Sequence, residues 1–148
     1  MANWCEGILK IKGERKDIIN FLKNALLIET TNKEPEVIDN EDGIELINNC
    51  NDCYVKNTKN GFIDYNLYYG RNNNFIAVKY YQERFIKTEE LAKISECYNL
   101  DFKILAKEVG YMFIQDIEIH KGVVIKDVCK EYNDRDTFVW DAPDLLDD

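Results

Sequence analysis

Between Phe75 and Cys129 the chain reads strand, helix, strand, strand, strand, with a turn residue at almost every join. FIAVKYY is followed by TEELAKISECYN, DFKILAKEVG, MFIQDIEIH and VVIKDVC. Phe102, Ile104 and Ala106 alternate with Lys103, Leu105 and Lys107, and Phe113, Ile117 and Ile119 alternate with Asp116, Glu118 and His120. A period of two marks strands with one face on a core and the other in water. Thr88 can cap the intervening helix, Glu89 and Glu90 suit the positive end of its dipole, and Leu91, Ile94 and Tyr98 form its inner side. Lys121-Gly122 then closes a hairpin. The pattern predicts an antiparallel sheet with helices packed on it.

The first half is read in the same way. Residues 3–12 predict a strand ended by Gly13, with Cys5, Leu9 and Ile11 on one face. Residues 15–27 predict a helix with an apolar stripe of Ile18, Leu22, Ala25 and Leu26. The polar segment 29–43, which carries Pro35, predicts a loop or excursion, and 41–49 a short helix. Asn60-Gly61 signals a type I′ hairpin joining CYVKNTK to FIDYNLYY, and Gly70–Asn74 turns the chain into FIAVKYY. This order predicts an α+β fold: a ferredoxin-like antiparallel sheet, two helices on one face and extra C-terminal strands. The length of 148 residues and a hydrophobic share of 45% suit one domain over residues 1–133, followed by an acidic tail at 134–148.

Two blocks, MANWCEGILKIKG at Met1–Gly13 and FKILAKEVGYMFIQDIEIHKG at Phe102–Gly122, resemble the YubB-type ferredoxin-like domain family of phage and plasmid proteins. In the second block an acid and a glycine precede an aromatic, and another glycine ends the strand. The middle departs from that pattern: the tryptophan- and proline-rich segment expected ahead of the second helix is YYQERFIKTEE here. The resemblance implies a fold and an origin in a mobile element. It implies no catalytic residues.

The net charge of −9 is unevenly placed. Residues 29–45 hold seven acids and one lysine, and residues 134–148 hold six aspartates and one arginine, so the remainder is close to balance. Such acidity repels phosphates and argues against direct nucleic-acid binding. It suits a basic groove on a partner protein, and it also keeps a surface solvated. The partner-binding candidates are Glu34, Glu36, Asp39, Glu41 and Asp42 in the first segment and Trp140, Asp141 and Asp144 in the second. The tail sequence TFVWDAPDLLDD reads either as a docking peptide or as an end whose Phe138 and Trp140 fold back onto the sheet.

Motifs for chemistry are few. Cys50-Asn51-Asp52-Cys53 has the spacing of a zinc clasp or a redox dithiol, and also arises incidentally; zinc needs two further ligands, and no second such pair exists. Cys5, Cys97 and Cys129 suit reduced, buried thiols. His120 is the lone histidine and reads as a turn residue, with a dyad to Cys129 conceivable across the last hairpin. Tyr65, Tyr69 and Tyr81 give an aromatic-rich meander that serves core packing or base stacking. MANWCEGILK lacks a secretory pattern and no apolar run reaches bilayer length, so the expected location is the cytoplasm, that of the host for a phage chain.

Together these features predict a non-enzymatic, acidic interaction module of a phage or mobile element, binding a host or phage protein; a counter-defence inhibitor is one form. The alternatives are a small zinc- or thiol-dependent enzyme at Cys50 and Cys53, and a single-strand nucleic-acid binder at the tyrosines.

Overall fold

In the first strand, odd and even residues meet different surroundings. Cys5, Leu9 and Ile11 are buried, while Glu6 and Lys12 are exposed. A computed structural model describes residues 3–41, 43–69 and 74–131. The elements are β1 (Trp4–Lys12), α1 (Arg15–Asn24), β2 (Leu26–Ile28), β3 (Glu36–Asn40), β4 (Gly43–Ile47), β5 (Cys53–Val55), β6 (Gly61–Tyr69), β7 (Phe75–Glu83), α2 (Thr88–Tyr98), β8 (Asp101–Glu108), β9 (Phe113–His120) and β10 (Val123–Glu131). Eight strands form one antiparallel sheet in the order β10-β9-β8-β1-β7-β6-β5-β2, and β3 with β4 forms a separate two-stranded sheet.

The ferredoxin-like expectation, two helices covering one face of the sheet, is corrected by this topology. Strands dominate the chain. Eight strands at about 4.8 Å spacing make a sheet about 34 Å wide. The two helices, each about 10 Å across, span little more than half of it. Seven of the eight strands fall on segments that the sequence predicts as strands; β2 is the addition, taken from the end of the predicted first helix, while the predicted loop and short helix supply the separate β3–β4 sheet. Leu26–Ile28 does not extend α1; it pairs with Cys53–Val55 at the sheet edge. Residues 41–49 contain strand β4 instead of a helix, because Ile44 and Leu46 alternate with Glu45 and Ile47.

Parity in β1 propagates across the sheet. Leu9 lies between Val78 and Ile104, and Ile11 between Ile76 and Phe102. All six are buried, as are Ile117 and Ile119 farther out. Gly7 sits in the same row, between Tyr80 and Ala106. A Cβ on Gly7 would lie 2.1 Å from the Leu105 carbonyl oxygen. The helices meet over this core, where the Phe21 and Tyr98 rings pack edge-to-face with centroids 5.6 Å apart. The opposite parity carries Glu6, Lys79, Asp116, Glu118, His120 and Lys126, linked as Lys79–Glu6, Lys126–Asp116 and His120–Glu118.

Turn chemistry is local. Lys121 and Gly122 both have positive φ, as a two-residue hairpin demands. The predicted type I′ turn at Asn60-Gly61 is corrected. Strands β5 and β6 do pair, but through a loop over 56–60 with Asn57 and Asn60 left-handed. Thr58 closes that loop: its hydroxyl donates to the Val55 carbonyl at 2.7 Å and accepts from the Gly61 N–H at 3.0 Å. Asn99 caps α2 at φ 58°, the left-handed geometry that satisfies terminal carbonyls.

In the connection from β7 to α2, Arg84 and Phe85 are exposed but Ile86 is buried and Lys87 half-buried, so the backbone of these last two needs partners. Two glutamines supply them. The Gln115 Nε2 donates to the Ile86 carbonyl at 2.9 Å, and its Oε1 accepts from the Ile86 N–H at 2.7 Å. Gln82 accepts from the Lys87 N–H and the Tyr80 hydroxyl, each at 3.0 Å, and donates to Glu90. No helix among the described residues is long and apolar enough to cross a membrane.

Candidate interaction surface

The acidic segment is an ordered hairpin rather than a loop. EVIDN and GIELI each alternate, and Glu36 pairs with Ile47, Val37 with Leu46, Ile38 with Glu45, and Asp39 with Ile44. Directly opposed residues share a face. Val37, Ile44 and Leu46 therefore turn inward onto the core, and Glu36, Ile38, Glu45 and Ile47 turn outward. Ile38 and Ile47 are 38% and 36% exposed.

Side chains, with no backbone ladder, tie the hairpin to the body. Arg15 at the start of α1 donates through Nε to Asp39 at 2.7 Å and through Nη2 to the Asn40 carbonyl at 2.7 Å. Lys56 binds Glu34 at 2.7 Å. Asn48, buried at the far end, donates to the Tyr65 carbonyl at 3.3 Å and accepts from the Cys50 N–H. Two of the predicted contact carboxylates, Glu34 and Asp39, are thus held by cations of the same chain. Glu36 and Glu41 are exposed, and no ion pair among the described residues takes them. Asp42, Trp140, Asp141 and Asp144 lie outside the described residues.

The outward pair of isoleucines and Glu45 escaped the sequence reading. The signal was present: VID and IEL have strand periodicity around a Glu-Asp-Gly turn. Taking the segment as a loop hid which residues share a face.

The other predicted groups are dispersed. Cys53 faces the core and is fully buried, and burial pushes its thiol up to about 11. Cys50 is exposed in the preceding turn at φ 59°. Among the described residues no group of three or more His, Cys, Asp or Glu side chains could hold a metal ion. His120 stands opposite Val123 whereas Cys129 stands opposite Gln115. Five rungs of about 3.3 Å separate them along the strand, so no dyad is assembled. Tyr81 stacks on Phe62 at a centroid distance of 5.5 Å, with Trp4 edge-on to both. Its hydroxyl donates to Asp52, and burial together with that carboxylate raises its ionisation well above the usual range. Tyr65 is exposed and apart from this cluster, and the Tyr69 side chain lies outside the described residues.

Thiol chemistry should divide accordingly. Cys5 is pushed up to about 12, chiefly by burial, and Cys53 to about 11. Cys97 and Cys129 are exposed, which corrects the expectation that they are buried; only thiolates react, so these two and exposed Cys50 are expected to alkylate in the native protein at pH 8. Titration with a thiol reagent should count three groups per folded chain and two more after denaturation. Five fast groups would contradict the packing of β1 and β5.

Comparison of the chain with protein-family models, with curated proteins and with solved structures gives no match.

Proposed function

We propose that this chain is a non-enzymatic interaction module of a phage or mobile element, and that hairpin β3–β4 is its contact element. The partner is a host or phage protein with a basic groove lined in part by apolar side chains. An inhibitor that fills a nucleic-acid-binding groove is the concrete form. The supporting observation is the outward face of the hairpin. Two exposed isoleucines stand diagonally between Glu36 and Glu45 on a segment of strongly negative charge. Isolated carboxylates would serve solubility alone. Apolar anchors among charges supply both desolvation energy and steering.

The test places a photo-cross-linking residue at position 38 and, separately, at position 103 on β8. Adducts of one defined mass should form in host lysate from position 38 and not from 103. Reversing charge with Glu36→Lys and Glu45→Lys should weaken capture on the order of tenfold, and more at low salt. Equal adducts from both positions, or capture indifferent to the reversals, would remove the hairpin from the mechanism.

A further inference from the structure

Among the described residues, the two edges of the main sheet differ. Edge strand β2 has three residues, and its outer side is already used, since the Ile28 N–H donates to the Lys33 carbonyl at 2.7 Å. Edge strand β10 has nine residues, all exposed, with Val123 at 61% and Ile125 at 55%. Val124 and Val128 are exposed as well. Long apolar edges are ordinarily shortened, covered or interrupted by proline or clustered charge. Here the edge carries a bulge between Val124 and Lys126 and four charged residues of both signs, Lys126, Asp127, Lys130 and Glu131, yet Lys126–Glu131 pairs regularly with β9 and its charges sum to zero.

We infer that β10 is a self-association edge, pairing antiparallel with β10 of a second copy to continue the sheet across a two-fold axis near Val128. Three features select this occupant. The chain carries −9, yet VVIKDVCKE has two lysines against one aspartate and one glutamate, so two copies approach there without net repulsion. Pairing β10 with the β2 edge of another copy would match nine residues with three, whereas β10 with β10 matches in length and closes. Antiparallel pairing centred on Val128 sets the two copies of Glu131, the last described residue, six rungs or about 20 Å apart, more than twice the screening length of about 8 Å. Parallel pairing would bring them together. The partner strand supplies Val128, the exposed valine inside the regularly paired stretch, with a neighbour on the side it lacks.

Sedimentation velocity over a concentration series tests this directly. The full chain should reach the two-chain mass, and Ile125→Lys with Val128→Lys should hold it at the one-chain mass with an unchanged circular dichroism spectrum. A short bismaleimide should join two copies through Cys129 in a Cys50→Ser, Cys97→Ser background, and Cys129→Ser should abolish the adduct without changing the mass. Glu36→Lys with Glu45→Lys should leave association intact, which separates this edge from the hairpin. A wild-type chain of one-chain mass throughout overturns the inference, as does a two-chain mass that survives the double lysine variant.

Discussion

Gly7→Ala is expected to destabilise the fold by about 3 kcal/mol, at the upper end of what overpacking costs. The added methyl would meet the Leu105 carbonyl oxygen at 2.1 Å and the Ala106 Cα at 2.9 Å, both backbone atoms that no rotamer change can move. Relief requires β1 and β8 to part at the middle of the sheet, where Leu9 and Ile104 stand side by side. Urea unfolding should show a lower midpoint with an unchanged slope. Gly13 offers a control: there the nearest atom to a new Cβ is the Leu100 side-chain tip at 2.7 Å, which can swing aside. Gly13→Ala should cost clearly less. Equal losses at both sites would mean that strand separation is not the governing cost.

Gln115→Leu is expected to be worse, by about 4 kcal/mol, although it keeps nearly the same volume. It leaves the Ile86 N–H and carbonyl without partners in the interior, at about 1–3 kcal/mol for each buried orphan. It also removes the acceptor that the Cys5 thiol reaches at 3.4 Å. The conservative variant Gln115→Glu separates hydrogen bonding from packing. Protonated, the glutamic acid both donates and accepts toward Ile86 as the amide does; ionised, it loses the donor and buries a charge near Glu108. Folding then favours the protonated form. Gln115→Glu should approach wild-type stability at acid pH and lose it as pH rises, whereas Gln115→Leu should show no such recovery. Thermal melts at pH 4.5 and pH 8 check this, and a Gln115→Glu variant that melts alike at both would refute the clamp.

Much of the sheet was legible because its strands are long enough to show a period. Nine residues in β1 and eight in β8 and β9 give several alternations each, and Lys121-Gly122 names its own turn. Three-residue strands such as β2 and β5 carry no readable period, and what makes them strands is the ladder between Leu26–Ile28 and Cys53–Val55. That pairing is long-range. It adds one edge strand that no local pattern announced. The clamp between Gln115 and Ile86 spans 29 residues, so local pattern is silent about it. At the candidate surface the acids were visible by composition. Their division into those tied down, Glu34 and Asp39, and those facing outward needed Arg15 and Lys56 placed in space.

Because β3 and β4 join the body through Arg15, Lys56 and inward side chains, with no strand ladder to the main sheet, the hairpin behaves as a cassette. Lengthening its tip by pairs of residues leaves every rung from β10 to β2 in register. On the proposed reading of the hairpin as the contact element, variants can change its surface by rewriting roughly a dozen positions while the framework behind stays fixed. A transplanted hairpin of similar length, given an Asp for Arg15 and inward aliphatics, should fold in place, offering a route to redirected specificity.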